Sequence, residues 1–292
     1  MATFVKTLTL GIICCEPALI MNYFTRVLLL LATITTELIS GQQCQCKCEE
    51  ERVNRERRSV DDRYTKCRME MMVNITSGDL LTRELQANPF FSDAWLQAER
   101  CNTTMANLTK LHITALIVYT NQNRTFPEMF DTDTLALGPD VNSYRLYFLY
   151  KSFHFLLTDA LRLLRAQNKL ELGQDATNCL LVYTESRGWG ELQRGLGDHV
   201  RIGHFILAST RRYSSSFDLI IQTCHGTLLP RFTKRHCRSY SGFNVLVPPY
   251  ELFRVAAVKK KPSKVTSGVK RDFYLESIGT INTLNCALTS DL

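Results

Sequence analysis

The chain has 292 residues, of which 45% are hydrophobic and 22% are charged. This mixture is typical of a globular protein with one or two domains, and it excludes disorder for most of the chain. The formal net charge of +7 would suit a nucleic-acid partner. However, no basic stretch carries the interleaved aromatic residues that single-strand binding requires, so no nucleic-acid partner is expected.

Residues 1–41 are predicted to be a signal peptide. A positive charge at Arg26 precedes an apolar run over residues 27–36, and the small residues Ser40 and Gly41 follow. The alternative is an uncleaved membrane anchor that also uses residues 4–21, which are largely apolar. The run over residues 27–36 is by itself too short to span a bilayer comfortably, which favours the signal peptide, and the earlier apolar run is what keeps the anchor open.

Cysteines and glycosylation sequons point to the secretory pathway. The chain contains eleven cysteines, which is many for a cytosolic protein of this size. Four acceptor sequons lie in its first half, at Asn74, Asn102, Asn107 and Asn123. Both features predict an extracellular or secreted glycoprotein. Only six residues follow Cys286, so the hydrophobic tail of a lipid-anchor signal is not expected.

Residues 42–60 are predicted to be a charged linker. Three cysteines between Cys44 and Cys48 fit either a metal clip or labile disulfides. Their position directly after a signal peptide favours disulfides. The basic run over residues 55–58 is of the kind that secretory convertases cut, and a solvated spacer is an equally good interpretation.

Residues 61–176 are predicted to form a helical lobe. Ser92 is expected to cap a short helix that runs through Trp95. Apolar residues then recur at helical spacing in a core-facing helix. They are Leu149, Phe153, Leu156, Ala160, Leu161 and Leu164, with Lys151, Asp159, Arg162 and Arg165 predicted to face away. His154, in the same helix, is expected to be a satisfied packing residue rather than a ligand.

Residues 177–292 are predicted to form a β lobe, because the hydrophobic period changes to two after Gly173. The predicted strands cover residues 179–183, 204–209, 217–224, 244–247, 252–258 and 273–278. Helices followed by strands predict an α+β protein with segregated lobes. The lysine-rich stretch over residues 259–271 is predicted to be a solvated loop between two strands.

The motifs of several common enzyme classes are missing. The sequence has no GxGxxG after a strand, no phosphate-binding P-loop and no GxSxG nucleophile elbow. Cys224-His225 and His236-Cys237 could form a zinc site. In a secreted chain disulfides are the preferred interpretation of these cysteines, so no metal is expected.

Seven short segments between residues 59 and 288 occur in the order found in one known family. They are Asp61-Asp62-Arg-Tyr64-Thr-Lys-Cys67, Thr114-Ala115-Leu-Ile-Val118-Tyr119-Thr120, Lys151-Ser-Phe-His154-Phe155-Leu156-Leu157-Thr158-Asp159-Ala160-Leu161, Cys179-Leu-Leu-Val182-Tyr183, Val200-Arg201-Ile-Gly203-His-Phe205, Gln222-Thr223-Cys224-His-Gly226 and Val245-Leu246-Val247-Pro248-Pro249-Tyr250-Glu251-Leu-Phe253. Each segment alone is a weak signal, but seven in order are highly specific. The chain therefore resembles the vertebrate ecto-ADP-ribosyltransferases, which use NAD to modify arginine.

The resemblance implies a helical lobe packed on a two-sheet β lobe, with NAD(P) held as co-substrate in a cleft of the sheets. Breaking the nicotinamide glycosidic bond develops positive charge on the ribose, and a nearby carboxylate stabilises this transition state. Family members use a second carboxylate to orient the acceptor, an arginine to grip the pyrophosphate, and a serine to brace the catalytic glutamate. The implied partners are arginine-bearing extracellular proteins, and a monomer is expected.

This chain departs from the family pattern at most of the active-site positions. Ungapped spacing places Thr184 at the arginine, Leu207 at the first serine, Gly242 at the first glutamate and Asn244 at the catalytic glutamate. The second serine is retained as Ser209. Arg187 could reach the arginine position if a bulge absorbed three residues. Glu251 lies beyond the double proline and is expected to be a structural hydrogen-bond acceptor.

Two functions from different classes are compatible with these residues. The resemblance implies an NAD-dependent arginine ADP-ribosyltransferase, which would be severely impaired here because Asn244 offers only a neutral amide dipole. The alternative is a catalytically inactive secreted or cell-surface binding protein that retains the fold. A test of NAD binding would discriminate between them.

The resemblance also implies a disulfide pattern, since four cysteines fall on family cysteine positions. These positions imply a bridge of Cys67 with Cys286 and a second bridge of Cys179 with Cys224. If the basic run over residues 55–58 is cut, Cys101 and Cys237 are the two cysteines left unassigned. A third bridge between those two is predicted.

Overall fold

The computed structural model describes most of the chain from residue 59 to residue 288. The described ranges are 59–101, 104–105, 107–138, 140–172, 179–185, 195–214, 216–230, 242–262 and 269–288. The expected signal peptide and nearly all of the expected linker lie outside them. No helix within these ranges combines the length and the apolar character needed to cross a bilayer.

Seven helices come first along the described chain. They are α1 (Arg68–Thr76), α2 (Leu80–Ala87), α3 (Pro89–Glu99), α4 (Lys110–Thr120), α5 (Thr125–Ala136), α6 (Val141–Tyr147) and α7 (Lys151–Leu172). Aromatic side chains fill the space between them: Phe91 stacks on Phe126 with ring centroids 4.5 Å apart, and Phe130 meets Phe153 edge to face at 4.9 Å. Such pairs add to the stability gained from burying the rings.

Helix α3 begins four residues earlier than predicted, so the assignment of Ser92 as its cap is wrong. The cap is Asn88, whose side-chain oxygen accepts a hydrogen bond from the Phe91 backbone N–H, and Pro89 occupies the first turn. Proline is favoured there because its missing N–H would have no helical partner. Ser92 instead donates its backbone N–H to the Asn88 carbonyl, as an interior helical residue does.

Helix α7 has the predicted core-facing pattern, with two corrections. Leu149 precedes the helix and is exposed. Asp159 is buried, because Arg68 of α1 and His112 of α4 cover it, with Arg68 Nε at 2.7 Å and His112 Nε2 at 3.2 Å from its carboxylate. Burial alone would raise the pKa of Asp159, but hydrogen bonds from His112, Arg68 and Arg162 hold it below its usual range.

His154 is a buried packing residue, as expected. Its Nδ1 lies 2.9 Å from the Tyr64 hydroxyl, and its ring packs edge to face on Phe205. Burial disfavours the charged imidazole and lowers its pKa to about 3. The ring therefore stays neutral at physiological pH.

Eight strands follow and form two sheets. They are β1 (Leu180–Thr184), β2 (His199–Arg201), β3 (Ile206–Ala208), β4 (Leu219–Thr223), β5 (Thr227–Leu228), β6 (Val245–Val247), β7 (Glu251–Pro262) and β8 (Val269–Thr280). The first sheet has the order β1-β4-β8-β7-β2, with β4 and β8 parallel, and the second has the order β3-β6-β5. Strands β2 and β5 were not predicted, because they have only three and two residues and carry almost no periodicity.

The prediction of a loop over residues 259–271 is wrong for both ends of this stretch. Strands β7 and β8 extend into it as an antiparallel pair, with Lys259 opposite Asp272 and Pro262 opposite Val269, and residues 263–268 lie outside the described residues. The hydrophobic pattern did not indicate this extension, because the outer part of a hairpin is held by backbone hydrogen bonds between its two strands rather than by a buried apolar face.

The helices and the sheets pack together through β3 and the turn before it. Phe130 of α5 stacks on Phe205 with ring centroids 5.9 Å apart, and the Tyr119 hydroxyl donates to the Phe205 carbonyl at 2.6 Å. The first sheet has its own apolar core, to which β3 and β6 also contribute through residues such as Ile206 and Val245. The predicted α+β architecture, a helical lobe packed on a two-sheet β lobe, is therefore confirmed.

Both disulfides expected from the resemblance are present. Cys67 is bonded to Cys286 with Cα atoms 5.6 Å apart, and Cys179 is bonded to Cys224. Cys101 is also disulfide-bonded, while Cys237 lies outside the described residues. Because Cys224 is in a disulfide, it is not available as the zinc ligand of the alternative considered above.

The sequon asparagines differ in their exposure. Asn107 and Asn123 are exposed, and Asn74 is half-buried on α1. Asn102 lies outside the described residues. Glycosylation at these four positions stays a prediction.

Glu84 is a buried carboxyl whose role the sequence did not reveal. One of its oxygens accepts the backbone N–H of Lys151 at 2.8 Å, and the other accepts that of Ser152 at 3.0 Å. It thus satisfies N–H groups at the start of α7 from a neighbouring helix, α2. Burial raises its pKa to about 7.

Replacing the Cys67–Cys286 pair by alanines should lower the free energy of unfolding by about 2–5 kcal/mol, because this bridge restricts a very long loop in the unfolded chain. The Cys179→Ala/Cys224→Ala variant is the matched comparison. It should lose about 1 kcal/mol less, because its loop is shorter. Urea unfolding measures both losses. A non-reducing peptide map that joins Cys67 to Cys101 would contradict the pairing itself.

The Glu84→Gln variant should remove a pH dependence of stability. The ordinary pKa of a glutamate is 4.5, and that of Glu84 in the native state is about 7. Between these two pH values the native state binds the Glu84 proton more tightly than the unfolded state does. The wild-type free energy of unfolding should therefore fall relative to that of the variant as the pH rises through this window. Denaturation series at several pH values measure the difference, with the exposed Glu70→Gln substitution as control. Parallel profiles for wild type and Glu84→Gln would contradict the assignment.

Candidate functional site

The residues singled out in the sequence come together where the two sheets meet. Thr184 ends β1, and its hydroxyl donates to the Leu207 carbonyl of β3 at 3.0 Å. Tyr183 and Ser209 exchange backbone hydrogen bonds of 2.8 and 2.9 Å. The backbone N–H of Asn244, just before β6, donates to the Ala208 carbonyl at 3.0 Å. Backbone pairing alone therefore places Thr184, Leu207, Ser209 and Asn244 in one cluster.

Asn244 uses its side chain to tie this cluster together. Its Oδ1 accepts the Thr210 backbone N–H at 2.9 Å, and its Nδ2 donates to the Thr210 hydroxyl at 3.0 Å. Both ends of the carboxamide are thus engaged with one residue of the neighbouring chain segment. An ionised glutamate has no donor, so it would lose the donation to the Thr210 hydroxyl and could engage that hydroxyl only as an acceptor. The local role of Asn244 is to join β6 to the end of β3.

Ser209 also has a local partner. Its side chain is buried, and its Oγ accepts the Arg211 backbone N–H at 3.0 Å. This is the hydrogen-bond pattern by which serine stabilises a turn. The guanidinium of the next residue, Arg212, donates to the Phe217 carbonyl and to the Asp272 carboxylate, each at 3.0 Å. The turn after β3 is therefore ordered by its own residues.

Gly242 lies in a conformation that leaves little room for a side chain. Its φ is +93°, in the left-handed region, and a Cβ built on it would lie 2.5 Å from Cζ of Tyr213. Tyr213 packs edge to face on Phe217 with centroids 4.8 Å apart and on Phe243 at 6.1 Å. The space beside Gly242 is thus occupied by an aromatic ring. Sequence reasoning did not find Tyr213, since nothing in the local pattern links it to residue 242.

These residues do not fit the co-substrate that the resemblance implies. Thr184, Leu207, Gly242 and Asn244 are all neutral, so these four positions provide neither a cation for a pyrophosphate nor a carboxylate for a ribose cation. Arg187, the alternative cation, lies outside the described residues. Within the described part of the chain no three His, Cys, Asp or Glu side chains are grouped so as to hold a metal ion.

Glu251 is buried and has the expected structural role. Its Oε1 accepts the backbone N–H of Cys224 at 2.7 Å and that of His225 at 3.1 Å, and the Thr223 hydroxyl donates to Oε2 at 2.5 Å. Burial raises the pKa of this carboxyl, and these hydrogen bonds oppose the rise. Glu251 therefore closes the turn after β4.

Comparison with known proteins identifies relatives of this chain. The sequence model of a family described as NAD:arginine ADP-ribosyltransferase matches residues 56–271. Ecto-ADP-ribosyltransferase 4 of Mus musculus is 28% identical over 243 residues, which cover 79% of this chain and 74% of that protein. GPI-linked NAD(P)(+)–arginine ADP-ribosyltransferase 1 of Mus musculus is 30% identical over 251 residues, covering 78% and 70%.

Solved structures share the fold. The crystal structure of the mono-ADP-ribosyltransferase ART2.2 superposes with a TM-score of 0.54 at 22% identity, covering 80% of this chain and 96% of that one. A mutant of the same protein in complex with NAD gives a TM-score of 0.53 at 23% identity, covering 78% and 95%. At this identity the likeness establishes the fold alone.

The Gly242→Ala variant should lose about 1–3 kcal/mol of stability, because the new Cβ meets both an unfavourable φ and the Tyr213 ring. Gly197→Ala is the matched control, since Gly197 has a φ of +88° and no atom within 4 Å of an added Cβ. It should lose only the part due to φ, about 1 kcal/mol. Adding Tyr213→Ala to each variant isolates the steric part by a double-mutant cycle. Equal losses at the two glycines would contradict the steric contact.

Proposed function

Because the chain belongs to the NAD:arginine ADP-ribosyltransferase family, we propose that it keeps the family fold while its transfer of ADP-ribose from NAD to arginine is severely impaired. NAD is the co-substrate of the family. The proposal concerns this copy alone and rests on its own residues at the cluster formed by β1, β3 and β6.

One observation carries the proposal: by the resemblance Asn244 stands at the catalytic glutamate, and its carboxamide is engaged with Thr210. A cation that develops on the ribose is stabilised by a carboxylate, and a neutral amide supplies only a dipole. Removing one preorganised stabilising group of this kind typically lowers the rate on the order of a hundred- to a thousandfold. A loss of this size severely impairs turnover.

The residues at positions 184 and 242 are also expected to lower the rate of transfer. The Thr184 hydroxyl donates a hydrogen bond to the Leu207 carbonyl. It carries no positive charge, whereas a guanidinium at this position would bind the two phosphates of the pyrophosphate. Gly242 lacks the acceptor-orienting carboxylate, and the Tyr213 ring occupies the adjacent space. Losses of residues that act as a unit are not additive, so their combined effect is not the product of single losses.

A catalytically inactive binding protein is the second candidate. It is favoured by the contrast between the cluster and its surroundings: both disulfides and the buried Glu251 contacts are present, while the catalytic positions are neutral. A protein retained for binding needs the fold and not the charges. NAD separates the two candidates, because a ligand that binds only the native state raises the melting temperature.

We further propose that the protein acts outside the cell. Disulfides persist in oxidising compartments, and two relatives are named as an ecto-enzyme and a GPI-linked enzyme. Signal peptide, glycosylation and the monomeric state are parts of this proposal that rest on the sequence. Any acceptor or partner would then be an extracellular protein, with exposed arginine if transfer persists.

The purified protein should release nicotinamide from NAD no faster than a control without protein, and it should not modify the arginine analogue agmatine. The physical reason is the missing carboxylate at Asn244. Nicotinamide release is measured by chromatography, with an active family member as the positive control. Robust turnover by the unmodified chain would contradict the proposal. A melting temperature that rises with millimolar NAD would show that the cofactor site persists without the chemistry.

The same positions can also be tested by substituting the residues that active family members carry there. The substitutions Asn244→Glu, Gly242→Glu, Leu207→Ser and Thr184→Arg should each have little effect alone. Together with Tyr213→Ala, which clears the space at residue 242, they should give weak NAD hydrolysis. The same set without Tyr213→Ala is the control and should be less active. Equal activity in both sets would show that the Tyr213 ring does not obstruct this position.

A further inference from the structure

The outer part of the β7–β8 hairpin carries a dense run of cationic residues. We call residues 259–262 and 269–272 the basic ribbon. It contains five cationic residues, namely Lys259, Lys260, Lys261, Lys270 and Arg271, against the single acidic residue Asp272. No acidic residue occurs in the sequence from 259 to 271. Most of the formal net charge of the protein thus lies close to this one element.

The ribbon projects past its neighbouring strands. Strand β2 pairs with β7 only as far as Arg254, and β4 pairs with β8 only from Phe273 onward. Among the described residues, the two sides of the ribbon pair with each other alone. Lys259 and Lys260 are exposed, so these two cations are accessible to a ligand.

The register places cations directly opposite cations. Lys260 is opposite Arg271 and Lys261 is opposite Lys270, and such cross-strand neighbours have Cβ atoms about 4.5–5.5 Å apart. Like charges in this position destabilise the pairing. The Asp272 carboxylate lies opposite Lys259 in the register and 3.0 Å from the Arg212 guanidinium. A bound polyanion would weaken the repulsion between like charges in such a register.

One cation of the ribbon is held in place by a neighbouring aromatic ring. The Lys259 ammonium lies 4.9 Å from the centroid of the Tyr274 ring, a cation–π contact that orients the side chain. Successive residues of a strand advance about 3.3 Å, so the ribbon presents closely spaced positive charge along its length. A flexible loop would have to order these side chains on binding, whereas the ribbon has already fixed their backbone.

We propose that the basic ribbon binds linear sulfated polysaccharides of the cell surface and extracellular matrix. The choice of ligand rests on the extracellular location proposed above. The strongly anionic membrane surface is the cytoplasmic leaflet, and single-stranded nucleic acid would require stacking aromatics that are not interleaved with these cations. A chain of closely spaced sulfates matches both the charge and the linear form of the ribbon. This binding is independent of transfer activity.

A fluorescent heparin oligosaccharide is the probe, and its affinity is measured by anisotropy in about 0.15 M NaCl. The Lys259→Gln/Lys260→Gln/Lys261→Gln variant should bind on the order of ten- to a hundredfold more weakly and show a shallower salt dependence. The control variant Lys66→Gln/Arg100→Gln/Lys110→Gln removes three exposed cations of the helical lobe and the same net charge. It should retain affinity within about threefold of wild type.

A second variant guards against misfolding of the first. Lys270→Gln/Arg271→Gln removes cations from the other strand of the ribbon and should also weaken binding on the order of tenfold or more. Unchanged melting temperatures confirm that each variant is folded. Equal affinity losses in the ribbon and control variants would overturn the proposal. So would equal binding of desulfated heparin, or tighter binding of phosphatidylserine vesicles or duplex DNA at the same ionic strength.

Discussion

The buried carboxylate of Asp61 holds the two lobes and the end of the described chain together. Its Oδ2 accepts the Arg201 guanidinium of β2 at 2.9 Å and the Thr283 hydroxyl at 2.7 Å, while Oδ1 accepts the backbone N–H groups of Thr283 and Leu284, each at 3.0 Å. Both side chains of the ion pair are almost fully buried. A buried charge without its partner is strongly destabilising, so the start of the helical lobe, β2 and the C-terminal turn must assemble as a unit.

These contacts lie in different segments from the candidate site. Asp61, Arg201 and the nearby Cys67–Cys286 bridge join segments that are far apart in the chain, whereas Asn244 and Thr210 join only β6 to the end of β3. The fold therefore does not depend on the charges that the family uses for chemistry. This separation explains how the chain can match the family over most of its length and still carry neutral residues at the positions that the resemblance assigns to catalysis.

The neutral residues have become part of the local structure. Asn244 braces Thr210, and Gly242 leaves room for Tyr213 by adopting a positive φ. A side chain at residue 242 would meet the Tyr213 ring, and a carboxylate at residue 244 would replace the donor of the Asn244 carboxamide by an acceptor. The basic ribbon lies at the free end of another hairpin, so an interaction through it places no demand on the cluster. The proposed loss of ADP-ribose transfer and the proposed binding of a polysaccharide by the basic ribbon are therefore physically compatible in one molecule.

The sequence by itself determined the features that depend on local pattern and ordered motifs. It predicted the α+β class, the core of α7, six of the strands, and, through the family resemblance, the bridges Cys67–Cys286 and Cys179–Cys224. Only the tertiary structure decided which polar side chains are buried. The pattern of its own helix predicts that Asp159 faces solvent, but Arg68 and His112 enclose it. Glu84 accepts a backbone N–H at the start of α7, which lies far along the chain. The position of Tyr213 beside Gly242 likewise depends on contacts between segments with no shared periodicity, as does the extension of β7 and β8 into the lysine-rich stretch. Periodicity reports which face of an element is apolar, but the partner that covers a polar group is set by packing between elements.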